Sequence, residues 1–421
     1  MGAGIMNALQ ITALLIVFAG GFGAINYLFF KLPPAIGILV VAFLASLSVL
    51  GLEALFPFLN IAEAITAFVA EIEFSQALLE GMLGLLLFAG ALHVNIDDLR
   101  AEAWVIALMA TLGVALSTLV IGVGFYWITA MPLLVALVFG ALISPTDPVA
   151  VLGVLREANL PKTLETKIAG ESLFNDGVGY VVFLLLVGLA FPVAGAHTDA
   201  TIAGVATFFV KEALGGALLG AVLGWCVFQV MKRIDDYPLE ILLSLGLAFG
   251  GYELAVALHV SGPIMAVVAG LFIGNTGVKY GMSAETRQHL NVFWTLIDEM
   301  LNAVLFLLIG VEIFAITFNW DTMTTGLAAI GLALVGRLVA VAVPIAVLSP
   351  FRDYSKGVVP IMTWGGLKGG ISVALALSLP ASEWKAEILT ATYLVVLFSI
   401  IVQGLTVASL ARRVGREPEM L

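Results

Sequence analysis

The chain has 421 residues, 61% of them apolar and only 11% charged, whereas an ordinary soluble domain carries about a quarter charged residues. Apolar runs follow one another almost throughout, each able to cross the roughly 30 Å hydrocarbon layer as a helix of about 20 residues. This excludes a water-soluble globule and any sizeable soluble domain, and a net charge of −11 with no basic cluster excludes nucleic acid as a partner.

No basic stretch precedes the first apolar run, Leu9 to Phe30, and that run is too long for a signal-peptide core. A retained first helix is expected. Breaks at Pro, Gly and charged clusters predict an all-α polytopic protein with thirteen spans, over 8–30, 34–52, 76–95, 102–127, 132–155, 165–191, 202–231, 238–258, 262–276, 288–315, 323–349, 356–378 and 386–410. Between the second and third spans, Ile61, Ile65, Phe68, Val69 and Ile72 recur at helical spacing among Glu63, Glu71 and Glu73, which predicts an amphipathic helix on the outer surface. The single cysteine, Cys226, reads as a small packing residue in an apolar run and leaves no internal disulfide possible.

Placing Lys31 inside also puts Arg100, Arg156, Lys162, Lys167, Lys232, Arg233, Lys279, Arg287, Arg352, Lys356, Arg412, Arg413 and Arg416 in inside loops, 14 of the 18 basic residues with Lys31. The positive-inside rule then gives an outside N-terminus, a cytoplasmic C-terminus and an odd number of spans. Residues 1–421 are expected to form one transmembrane domain, with 412–421 as a short cytoplasmic tail, in the plasma membrane of a bacterium.

An odd count suggests two inverted six-helix repeats around the seventh span, which makes the fifth and twelfth spans equivalent. Both are interrupted. The fifth contains Ser144-Pro145-Thr146-Asp147-Pro148, whose prolines remove backbone donors; the twelfth contains Trp364-Gly365-Gly366-Leu367-Lys368-Gly369-Gly370, whose glycines weaken a helix. Paired interruptions in inverted halves mark the midplane binding site of a transporter.

Ionisable side chains within spans are costly and need a reason. They are Asp147, Glu171, Asp176, Asp298, Glu299, Arg337 and Lys368. Ser172 and Asp176 are four apart and share a helix face, while Glu171 and Asn175 form a second pair rotated by about 100°. A hydroxyl and a carboxylate opposite a broken helix offering carbonyls and Thr146 supply the hard oxygen ligands that a small alkali cation prefers. Asp176 can hold a cation or a proton, and competition for one carboxylate is sufficient for exchange.

For the other charges, Glu171 is expected to pair with Arg337, which cannot deprotonate. Lys368 is expected to compensate helix-end carbonyls and Asp147. Asp298, Glu299 and Asn302 either line an inner funnel or pair with interior basic residues. His93, His197, His259 and His289 read as packing or solvated residues.

Thr146-Asp147-Pro148, Glu171-Ser172-Leu173-Phe174-Asn175-Asp176-Gly177, the run Leu301-Asn302-Ala303-Val304-Leu305-Phe306-Leu307-Leu308-Ile309-Gly310 and Gly366-Leu367-Lys368-Gly369-Gly370-Ile371-Ser372 resemble the NhaP/NHE-type cation:proton antiporters, also called monovalent cation:proton antiporter-1, in order over nearly the whole chain. The resemblance implies a thirteen-helix inverted-repeat fold, a homodimer, and a core domain that moves past a dimerisation domain. It also implies that Asp176 is the shared sodium and proton ligand, helped by Ser172 and the Thr146 carbonyl. In the same family Asp147 and Asn175 keep the site in shape, and Glu171 and Arg337 form a structural ion pair. Two positions depart from the family: Ala89 stands where many members have an acid, and Lys368 replaces a common arginine, which keeps the charge and loses the planar fork.

The expected function is secondary exchange of sodium, or of lithium or potassium, for protons, one for one, with no ATP, no organic cofactor, and lipids as surroundings. A monovalent-cation channel is the rival, but it needs a continuous polar pore where the sequence has one polar focus. An aspartyl dyad of Asp147 and Asp176, or Ser172 as a nucleophile, would make an intramembrane enzyme; no histidine in the sixth span activates that serine.

Overall fold

The computed structural model describes residues 8–56, 65, 82–147, 162–192, 201–315, 320–351, 354 and 357–414. Most of the expected amphipathic helix after Glu53, the beginning of the third span, the second half of the fifth, His197 and the end of the chain beyond Val414 lie outside these residues.

Helix α1 (Ala8–Ile25) continues through a π-helical turn, Asn26–Phe30, and Lys31 reverses the chain with a left-handed backbone, φ 53°. Asn26 holds this reversal by donating to the Leu32 carbonyl at 2.9 Å and accepting from the Leu32 amide at 3.1 Å. Helix α2 (Pro34–Leu55) then starts on a proline, whose missing N–H is harmless in the first turn. Next come α3 (Leu83–Leu92), α4 (Ile96–Ala101) and α5 (Ala103–Leu108), the last joined by the π-helical segment Met109–Gly113 to α6 (Val114–Ile128). Short α7 (Leu133–Ile143) precedes the long α8 (Lys162–Ala190), α9 (Ile202–Met231) and α10 (Tyr237–Ala257).

Helix α11 (Gly262–Phe272) passes through Ile273–Gly277 into α12 (Val278–Tyr280), and α13 (Ala284–Val311) and α14 (Trp320–Leu348) follow. The broken pair α15 (Val358–Trp364) and α16 (Gly370–Leu377) leads to α17 (Lys385–Phe398), which continues through Ser399–Gln403 into α18 (Gly404–Val414). Thr201, Asp236, Ser261 and Ser283 cap α9, α10, α11 and α13 by accepting from the amides of Gly204, Leu239, Ile264 and Thr286. Among the described residues ten helical stretches are long and apolar enough to cross a membrane, α3 and α7 are shorter apolar helices, and each falls on an expected span.

The helices pack as two groups. In the first, α3, α10, α11 and the near half of α13 bury Phe88, Tyr252, Met265 and Trp294 together, and α1 and α2 lie against α13. In the second, α6, α7, α8, α14, α16 and α17 enclose Phe125 and Phe139, whose rings stack at 4.0 Å. A further core joins the groups through Ile36 and Leu39 of α2, Leu305 and Phe306 of α13, and Met362, Val373 and Tyr393. Cys226, expected to pack inside, is exposed on α9, where a bilayer would cover it.

One ion pair ties α8, α14 and α15. Both terminal nitrogens of Arg337 on α14 donate to the carboxylate of Glu171 on α8, and its Nε and one terminal nitrogen also reach the Met362 carbonyl of α15, at 3.2 and 3.0 Å. Both side chains are buried, and the planar fork suits this double contact. A second buried pair, unforeseen in the sequence, joins Lys167 of α8 to Glu102 at 3.5 Å, with Lys167 also above the Tyr354 ring. Lys167 therefore is not a loop cation.

Glu171→Gln and Arg337→Ala should each destabilise the protein by about 3 to 5 kcal/mol, because one charge stays buried without its partner. The double change should cost less than the sum. Thermal melting in detergent reads this, and single variants that melt like wild type would refute the strut.

Candidate ion site

The site is built where two helices stop. Pro145 cannot continue the hydrogen-bond ladder of α7, so residues 144–147 leave the helix after Ile143. On the other side, residues 365–369 separate α15 from α16. The two irregular segments cross, and the amide of Asp147 donates to the Leu367 carbonyl at 2.8 Å. Lys368 extends its ammonium onto the carbonyls of Ser144 and Pro145, at 3.0 and 3.2 Å, and its own amide donates to Ser399 Oγ at 2.9 Å. It thereby caps the end of α7, where helix-end carbonyls concentrate negative charge. Asp147 packs directly on Gly369, where a side chain would collide with its carboxylate. Ser144 closes the turn by donating to the Gly140 carbonyl at 2.7 Å, and it meets Thr118 Oγ1 at 3.1 Å.

Helix α8 brings its polar run against this crossing. Asn175 clamps Thr146 twice, donating from Nδ2 to Thr146 Oγ1 at 2.8 Å and accepting from the Thr146 amide at 3.2 Å. The Thr146 hydroxyl also meets Ser172 Oγ at 2.9 Å. The Thr146 hydroxyl and amide are thus both engaged. Ser172, Asn175 and Asp176 are all buried, and Asp176 Oδ1 is a buried oxygen without a hydrogen-bond partner among the described residues. The arrangement therefore holds one under-coordinated carboxylate in a frame whose other polar groups are bonded, and a proton or a cation can complete it.

The structure thus brings together Thr146, Asp147, Ser172, Asn175, Asp176 and Lys368, and it turns Glu171 to the opposite side of α8, towards Arg337. Asp298 accepts from Asn302 Nδ2 at 3.1 Å. Neither Asp298 nor Glu299 forms an ion pair among the described residues, so pairing with interior basic residues is not observed there. His93 bonds the Ala89 carbonyl at 2.7 Å and Thr295 at 3.2 Å, His289 stacks on Tyr237, and His259 sits in a tight turn. Ala89 is fully buried beneath this contact. The sequence reading missed Glu102, Ser399 and Thr118; ordinary hydroxyls and an acid at a span end carry no local signal of partners far along the chain.

Comparison with known proteins agrees with this geometry. The family described as "Sodium/hydrogen exchanger, transmembrane" matches residues 13–413. The chain is 48% identical over 402 residues to the Na(+)/H(+) antiporter NhaP of Pseudomonas aeruginosa, covering 93% of both proteins. It is 37% identical over 394 residues to the Na(+)/H(+) antiporter NhaH of Halobacillus aidingensis, covering 91% of this chain and 93% of that one. Its fold is similar to that of the sodium proton antiporter MjNhaP1 from Methanocaldococcus jannaschii, with a TM-score of 0.77 at 18% identity over 97% of this chain and 99% of the other. Motifs, crossing helices and family match converge: this chain belongs to the transmembrane sodium/hydrogen exchanger family.

Proposed function

We propose that the chain is a secondary antiporter that exchanges sodium, or another monovalent cation, for protons one for one by alternating access, with Asp176 binding either ion. The observation that carries this reading is the buried, unpartnered Asp176 Oδ1 at the crossing of two broken helices, in a member of the exchanger family. Ser172 and the Thr146 carbonyl complete the cation's shell, while Asn175 and Asp147 hold that shell in shape. Glu171 and Arg337 stay paired throughout, and Lys368 remains on the α7 carbonyls. No organic cofactor enters the cycle; sodium and protons are its substrates.

The finer architecture belongs to the same proposal. The chain forms one transmembrane domain of thirteen spans in two inverted repeats, works as a homodimer in the plasma membrane, and has its N-terminus outside. Sodium leaves the cytoplasm as protons enter. Ala89, which removes a carboxylate common in the family, makes the ion preference a property to be scanned with lithium, sodium and potassium in proteoliposomes carrying an imposed pH gradient.

Asp176→Asn should fold and insert normally yet abolish exchange, since an amide neither releases a proton nor neutralises a cation. Sodium uptake driven by a pH gradient at the wild-type rate in that variant would remove Asp176 from the mechanism. Exchange should also be electroneutral. One titrating carboxylate carries one sodium or one proton, so a membrane potential, worth about 2.3 kcal/mol per charge per 100 mV, has no net charge to act on. The check is the steady-state sodium gradient in proteoliposomes with the potential clamped at zero or at a large value. A gradient that moves with potential would require a second proton carrier.

A further inference from the structure

Helix α15 ends at Trp364 and α16 begins at Gly370. In an uninterrupted helix the Lys368 amide would donate to the Trp364 carbonyl, four residues earlier. Here that bond is open, and two side chains from one stretch of the last span take its halves. The Lys368 amide donates to Ser399 Oγ at 2.9 Å, while Gln403 Nε2 donates to the Trp364 carbonyl at 3.1 Å.

Ser399 and Gln403 are the first and last residues of the π-helical turn between α17 and α18. They stand four residues apart, as Trp364 and Lys368 do, and the two pairs meet in opposite order along the chain. A hydroxyl can accept where the opened bond leaves a donor, and an amide can donate where it leaves an acceptor. Both side chains are buried, at 1% and 4% exposure. Single π turns within α-helices occur often at functional sites. Trp364 is tied to the same span twice more, through Nε1 to Thr406 Oγ1 at 2.8 Å and by its ring edge-on to Phe398.

Opening this bond is what frees the break to meet the first interruption. A continuous helix would commit the Leu367 carbonyl to the Ile371 amide; in the open form it receives the Asp147 amide, and the Lys368 ammonium reaches the Ser144 and Pro145 carbonyls. Contacts therefore run from Ser399 through the backbone and side chain of Lys368 to Pro145, the residue before Thr146.

We propose that Ser399 and Gln403 form a clamp that holds the 364–368 bond open and thereby positions the first interruption for the cation. The proposal rests on the exchanger reading above and deepens it. Both are positioning residues and touch no ion. A cation needs several oxygens at set distances, so a relaxed clamp weakens sodium binding more than it slows turnover.

The test removes each half of the clamp. Ser399→Ala takes away the acceptor of the Lys368 amide; Gln403→Met keeps the length and takes away the donor to Trp364. Sodium binding is read twice, as half-saturation of exchange in proteoliposomes and as the sodium concentration that half-maximally raises the melting temperature in detergent. Each variant should raise both midpoints about tenfold, the scale of one buried backbone group left unpaired, with the maximal rate within about threefold of wild type. Ser399→Thr, which returns a hydroxyl, should bring the midpoints back. A purely structural pair would lower the melting temperature and leave the midpoints in place, so unchanged midpoints in both folded variants overturn the clamp. A fall in maximal rate without a shift in midpoint overturns it too, as does a midpoint in Ser399→Thr no better than in Ser399→Ala. If one half cannot be removed without unfolding, the other decides, and unfolding in both would make the pair structural alone. A wild-type protein that sodium stabilises without any exchange would refute the exchanger reading and leave the clamp to be judged on the melting midpoints; one that sodium neither stabilises nor drives overturns both.

Discussion

Everything in the site depends on how two interrupted helices satisfy each other's backbone in lipid. A helix that stops inside a bilayer leaves carbonyls and amides that water cannot reach, and each costs several kcal/mol if left alone. Here the break after Ile143 and the break after Trp364 are placed across one another, so that Asp147 donates to Leu367 and Lys368 covers Ser144 and Pro145. The ammonium is consumed by this task, and neutral glycines beside it let the two backbones approach. An irregular segment that would be costly alone becomes a rigid frame when paired.

That frame gives the neighbouring carboxylates opposite fates. Glu171 and Asp176 lie five residues apart on the same buried helix, yet Glu171 faces the fork of Arg337 while Asp176 faces the crossing. The first is saturated and ties α8 to α14 and α15. The second keeps an oxygen without a partner among the described residues, surrounded by hydroxyls and an amide already bonded to one another. A saturated acid holds structure, whereas an acid with an open coordination position can accept a proton or a cation. The two chemically similar groups differ in their environment.

The two helix groups are each locked internally. Within each group aromatic and branched side chains interlock, as at Phe88 with Trp294 and Phe125 with Phe139. Between the groups, Gly177 beside Asp176 meets Ile264, and Gly370 meets Leu305.

Much of this was legible in the sequence. Hydropathy runs set the spans, since bilayer thickness imposes one length on every crossing helix. Prolines and glycines marked both breaks, because they act on the backbone locally. Spacing alone separated Glu171 from Asp176 on the turns of α8, helix-end carbonyls gave Lys368 its expected place, and the family motifs suggested roles for Thr146 and Asn175. Partnerships were another matter. That Lys167 is buried against Glu102, that Ser399 receives the Lys368 amide and that Ile264 of α11 meets Gly177 follow from how helices pack across long stretches of chain. Periodicity and composition specify which face of a helix is apolar and where it ends; which polar group meets which is decided only when packing brings distant faces together.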